Sequence, residues 1–126
     1  MAEPLIFTDT TAIKDGQLEA WVKYFQGFAE HVKAQEPRLL HFTMYVHEDG
    51  TEETIVQIHP DADSMRTHLA VMADHGHAAA EYLDFSHSTS RLYGAPDDEL
   101  IAQVRDHGIP VTVARPGDGF NRLPPG

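Results

Sequence analysis

The chain has 126 residues, a formal net charge of -11, nine histidines and no cysteine. That length sets one domain with a modest core, and the acidic balance argues against nucleic acid or an anionic membrane as partner, because both need a basic face. The absence of cysteine removes disulfides, thiolate catalysis and cysteine metal sites together.

The opening MAEPLIFTDT lacks the basic start and apolar run of a secretory signal. No later apolar run is long enough to span a bilayer. A cytoplasmic protein is therefore expected. Leu5 to Ile13 reads as a first strand, with Leu5, Phe7 and Asp9 on one face and Ile6, Thr8 and Thr10 on the other. Lys14-Asp15-Gly16 is a turn, with Asp15 or Gly16 expected to cap a helix from Gln17 to Gln35. Leu18, Trp21, Val22, Phe25, Phe28, Ala29 and Val32 recur there at helical steps and form a broad apolar stripe. Gly27 weakens this helix, and Glu36-Pro37 ends it.

Leu40 to Val46 alternates apolar and polar residues, as a strand with two unlike faces does. Glu48-Asp49-Gly50-Thr51 is a polar turn, and Thr54 to His59 alternates again, so the two runs predict an antiparallel hairpin. Asp61 or Asp63 then caps a second helix expected to continue to about Leu83. Phe85 to Tyr93 reads as a fourth strand, polar on both faces. Gly94-Ala95-Pro96 breaks the chain. Asp97, Asp98 and Glu99 start a short helix, stopped by Gly108. Ile109 to Ala114 adds a fifth strand, which Pro110 keeps near a strand start or an edge, and an extended tail follows.

Strand-helix-strand-strand-helix-strand is the ferredoxin-like order. The expected fold class is α+β, with an antiparallel sheet and a short C-terminal helix and strand, all in one domain. The core spans roughly residues 4 to 94, and the extension roughly 95 to 126. Helices cover one sheet face. A second copy is the economical cover for the other.

A first strand before a Trp- and Phe-rich helix, Glu36-Pro37 running into RLLHFTMYVHEDG, the strand TIVQIH, an acidic turn and a helix with His68-Leu69 and His75 follow in that order. This layout resembles the dimeric α/β-barrel superfamily and, within it, the antibiotic-biosynthesis-monooxygenase-like domain. The resemblance implies a homodimer in which two sheets pair into a barrel. It also implies one of three behaviours: cofactor-free oxidation of quinols or anthrones by molecular oxygen, haem binding and degradation, or no known activity. His59 stands where a Trp commonly ends the third strand and shapes a haem pocket, which points away from haem. No Asn stands in the first strand; its nearest polar residues are Thr8, Asp9 and Thr10.

His68, His75 and Tyr82 are each seven residues apart and would form one row along a helix, beside the Met65-Leu69-Met72 stripe. In one reading His75 is a general base or haem ligand with His68 as a second polar group; in the other both are partly exposed helix residues. Residues seven apart on a helix are separated by about 10 Å, so His68 and His75 cannot share one zinc. No metal is expected, although His59 with Asp61 is a conceivable mixed site. His41, Thr43 and Tyr45, with His59 and Gln57 from the paired strand and His87 and Arg91 from the fourth, form a second polar group. It either orients a phenolic substrate, with Arg91 stabilising an oxyanion, or bonds across a dimer interface. Trp21 and Phe25 either line an aromatic pocket or belong to the core.

Two functions follow. One is a cofactor-independent monooxygenase for a quinol- or anthrone-like aromatic molecule, with His75, His68 and Arg91 as catalytic residues and Tyr82, Trp21, Phe25, His59 and Tyr45 around the substrate. Such a substrate reduces oxygen itself, and no nucleotide or phosphate loop is present. The alternative is a non-catalytic homodimeric protein that binds a hydrophobic small molecule.

Overall fold

The computed structural model describes residues 3–73 and 76–124. In chain order the elements are β1 (Leu5–Ile13), α1 (Leu18–Gln35), β2 (His41–Val46), β3 (Glu52–His59), α2 (Ala62–Ala73), α3 (Gly76–Ala79), β4 (Leu83–Tyr93), α4 (Asp98–Asp106) and β5 (Val111–Ala114). They form one five-stranded sheet in the order β2-β3-β1-β4-β5. The first four strands pair antiparallel in the ferredoxin-like order, and β5 adds parallel to β4 within the same chain.

The register sorts the side chains into two faces. Leu5, Phe7, Asp9 and Thr11 of β1 lie across from His59, Gln57, Ile55 and Glu53 of β3. Phe42 and Met44 of β2 join this face through Gln57 and Ile55, and Leu92 and Ser90 of β4 join it through Phe7 and Asp9. The helices pack on it in two apolar clusters. Leu5, Phe7 and Leu92 meet Met65 and Leu69 of α2, Leu100 and Val104 of α4 and Val111 of β5. Ile13 and Leu83 meet Trp21 and Phe25 of α1, with Phe28, Phe42 and Met44 around them. Burying one such side chain contributes about 1.5–3 kcal/mol, so the C-terminal extension is part of the core.

Local chemistry sets the boundaries. Gly50 takes φ 74° in the β2–β3 turn, and the His47 N–H closes the hairpin on the Glu52 carbonyl at 2.9 Å. Asp61 Oδ1 accepts from the Ser64 N–H at 3.0 Å and caps α2; Asp97 Oδ1 accepts from the Leu100 N–H at 2.7 Å and caps α4. Gly94 ends β4 at φ 134°, and a Cβ there would lie 2.8 Å from Leu5 Cδ2 and 2.9 Å from the Pro4 carbonyl, so only glycine fits.

Three expectations change. The α1 N-cap is Gln17, without a side-chain capping bond, instead of Asp15 or Gly16. The second helix does not run to Leu83: α2 ends at Ala73, α3 is one turn, and Leu83 opposes Ile13 in β4. Leu83 instead takes a place in the ladder beside Ile13 of β1. Finally, β4 is not polar on both faces throughout. Leu83 and Leu92 are buried, and a register shift opposite Thr11/Ala12 breaks the simple alternation from Phe85.

Candidate functional site

Pro37 forces Glu36 out of helical geometry, to φ -128° and ψ 71°. The Glu36 N–H still bonds the Val32 carbonyl, and its carboxylate turns inward, leaving the residue 5 % exposed. His68 meets it from α2, seven residues beyond the Asp61 cap. His68 Nδ1 lies 2.7 Å from Glu36 Oε2, and both side chains are buried. A carboxylate only accepts, so His68 Nδ1–H donates to Glu36 Oε2. Glu36 Oε1 and His68 Nε2 have no hydrogen-bonding partner among the described residues. A buried polar atom left so is costly, and its persistence points to use.

His59 stands behind His68, with ring centroids 5.8 Å apart. Its Nε2 lies 2.9 Å from Gln57 Oε1 and its Nδ1 2.9 Å from Ser64 Oγ. The amide oxygen only accepts, so Nε2 carries the proton and Nδ1 accepts from the Ser64 hydroxyl. Burial, with the nearby His68 and against Asp61, holds the His59 imidazole down to about 3. His59 is thus a neutral, fully bonded prop. Phe42 also packs against His68, 5.4 Å between centroids. Val32, Glu36, Leu39, Leu40, His41 and Phe42 line a cleft of about 310 Å³ beside this group. Glu30, Lys33 and His41 add polar groups to Glu36 among its apolar side chains, and the cleft is large enough for a small aromatic molecule.

A second buried polar group lies toward the other end of the same sheet face. Glu53 is 1 % exposed, and neither carboxyl oxygen closes a regular hydrogen bond among the described residues; the Thr11 backbone N–H and the Trp21 indole N–H are its weak donors. Burial, reinforced by Asp9, pushes Glu53 up to about 8. Burial also raises Asp9, against hydrogen bonds from Ser90 and Ser88. Glu53 is therefore a neutral acid at pH 7.

The structure brings together only some of the residues singled out in the sequence. His68 and His59 meet; Glu36, Gln57 and Ser64 complete their group. Glu36 reads in sequence only as a helix end, and its one signal is an acid held between a long apolar stripe and a proline. Trp21 and Phe25 are core, joined through Phe42 to the dyad by rings 5.3–5.7 Å apart. Tyr82 packs on Trp21 and Tyr24, after α3 instead of on a helical row with His68. Arg91 and Tyr45 lie on the opposite sheet face, where Arg91 pairs with Thr8 and Tyr45 bonds His41 at 3.2 Å. The second polar group is split accordingly: His41, Thr43, Tyr45 and Arg91 face away from the helices, and His59 and Gln57 face them. His75 lies outside the described residues. Both His59 nitrogens are engaged, which leaves no ligand atom for a site with Asp61. Among the described residues no three acids or histidines are grouped to hold a metal ion.

No family model matches the sequence, and no curated protein does. Solved structures do. MupZ from Pseudomonas fluorescens superposes with a TM-score of 0.78 at 18% identity, over 97% of this chain and 96% of its own. SnoaB, a cofactor-independent oxygenase from Streptomyces nogalater, gives 0.62 at 19% identity, over 76% of this chain and 96% of its own. An antibiotic biosynthesis monooxygenase gives 0.61 at 17% identity, over 74% and 99%. The chain has the fold of these structures, antibiotic-biosynthesis-monooxygenase-like proteins among them. The MupZ likeness reaches into the segment after Tyr93.

Proposed function

We propose that this chain, folded as those monooxygenase-like structures are, is a cofactor-independent oxygenase that takes a quinol- or anthrone-like molecule in the cleft beside Glu36. The carrying observation is the buried Glu36–His68 pair beside the cleft, in which one carboxylate oxygen is tied to His68 and the other, also buried, has no partner among the described residues. SnoaB supports the reaction type by fold likeness alone.

Glu36 Oε1 takes the acidic proton of the bound substrate. His68 Nδ1–H stabilises Oε2 and fixes the plane of the carboxylate, so it is a positioning residue. Phe42 and Leu40 keep water from the carbanion. The carbanion gives one electron to oxygen, and the radical and superoxide combine to a peroxide, which takes the proton back from Glu36. Glu36 then removes the remaining proton from the carbon that bears the peroxide. The O–O bond breaks, the ketone forms, and the departing hydroxide leaves as water with that proton. One substrate and one oxygen give one quinone-like ketone and one water.

The chain acts as a homodimer in this reading, a second copy covering the sheet face that carries Ile6, Thr8, Val56 and Ile58. Arg91 and Tyr45 then belong to the subunit contact, and Tyr82 lies at the far flank of α1. Oxygen uptake by metal-stripped protein against hydroquinones and anthrones tests the activity. Uptake above autoxidation, reduced about 10²–10⁴-fold in Glu36→Gln, is expected. Uptake unaffected by that change removes Glu36 from the chemistry. No uptake with any member of the panel overturns the oxygenase reading.

A further inference from the structure

α1 carries a second cleft on another stripe of its surface. Lys23, Tyr24, Gly27, Phe28, His31 and Tyr82 line a space of about 590 Å³, within the range of small-molecule sites. Residues 23, 24, 27, 28 and 31 lie on the flank of the helix away from 29, 32, 33 and 36, so this cleft is separate from the one at Glu36.

Three features give it a chemistry. The walls are aromatic: Tyr24 and Phe28 stack at 15° with centroids 6.3 Å apart, and Tyr82 lies 5.3 Å from Tyr24. Such ring faces take a flat aromatic guest in offset stacking. The charge is positive, for Lys23 lines the cleft and no acid among the described residues does, in a chain of net charge -11. Lys23 makes no ion pair or hydrogen bond among the described residues, whereas Arg38 and Arg66 are spent on Asp61 and Asp97. Finally, Gly27 sits in the middle of an 18-residue helix, where glycine is unfavourable. A Cβ at that position would meet nothing within 4 Å, so no packing within the described chain requires glycine there. Its absent side chain leaves the floor of the cleft open.

We infer that this cleft is a binding site for a planar aromatic anion, stacked between Tyr24, Phe28 and Tyr82 over Gly27 with its acidic group at Lys23. This assignment does not rest on the oxygenase reading.

Trp21, the single tryptophan, stacks on Tyr24 at 6.0 Å and serves as a built-in reporter. The test is titration of the full chain with 2-naphthoate and with uncharged 2-naphthylmethanol, followed by calorimetry and Trp21 fluorescence. Saturable binding of one 2-naphthoate per chain is expected, at least fivefold tighter than the alcohol. Gly27→Leu should weaken it at least tenfold, and Lys23→Gln should weaken naphthoate severalfold and leave the alcohol unchanged. Gly27→Ala guards against a folding artefact: it should keep the helical spectrum, raise the melting temperature and retain measurable binding. Absence of saturable binding, or binding unchanged in a folded Gly27→Leu chain, overturns the inference. So does a Gly27→Leu chain that changes its subunit number and keeps its naphthoate affinity, because the cleft would then be a protein contact.

Discussion

Glu53 and His59 are both buried on the helix face, and their protonation couples to folding with opposite sign. Glu53 holds its proton up to about 8 against an ordinary 4.5, so folding takes up a proton between those values. Its contribution is complete below pH 4.5 and is lost as pH rises through 8. Asp9, raised by burial above its ordinary 3.8, acts in the same direction. His59 is held at about 3 against 6.5, so its contribution is complete above pH 6.5 and is lost as pH falls toward 3. Between pH 4.5 and 6.5 the two slopes oppose each other. Thermal melts should therefore peak in that window, and Glu53→Gln should flatten the decline toward pH 8 while leaving the acid side in place. A wild-type melting temperature that climbs from pH 6 to pH 8 would show that Glu53 is not held neutral. Single residues were the least legible scale in the sequence. Alternation from Thr54 to His59 gives the strand two faces, but periodicity does not say which face the helices cover, and Glu53 lies just before that run. Glu36 was hidden for another reason: only the fold brings residues 32 positions apart into one hydrogen-bonded pair.

At the scale of elements, the hairpin, α1 and the added α4 and β5 follow directly from pattern and turn chemistry. The stretch from Ala73 to Leu83 does not. Small residues suit a helix as well as a turn, and the pairing of Leu83 with Ile13 is a long-range fact. The extension illustrates how an element becomes necessary. Leu100 and Val104 are fully buried against Leu5, Phe7 and Leu92. Leu100→Ala should cost about 2–5 kcal/mol, read as a shift of the urea midpoint at unchanged slope. A shift within error would mean that α4 is an appendage and not part of the core.

The whole molecule has one covered sheet face and one without a helix among the described residues. Ile6 opposes Ile58, and Thr8 opposes Val56 and Arg91, on the second face. Tyr45 and Tyr93 are 49 % and 36 % exposed at its margins. A second copy would bury these side chains as an antiparallel barrel does. Light scattering is expected to give twice the chain mass of 14.0 kDa, and Ile58→Arg should give the single chain with its fold retained. A wild-type chain that runs as a monomer at micromolar concentration would refute the subunit contact. The order of elements carried this architecture in the sequence, because the ferredoxin-like arrangement necessarily leaves one face without helices.

The central claim is that Glu36, steadied by His68, removes a proton from a carbon acid in its cleft. The most direct measurement leaves oxygen out. Anthrone is held anaerobically in deuterated buffer with the protein, and exchange at its acidic carbon is followed by proton NMR. Exchange faster than in buffer alone, and returned to the buffer rate by Glu36→Gln, is the predicted result. Exchange at the buffer rate with the wild-type chain, or exchange that Glu36→Gln leaves intact, would contradict it.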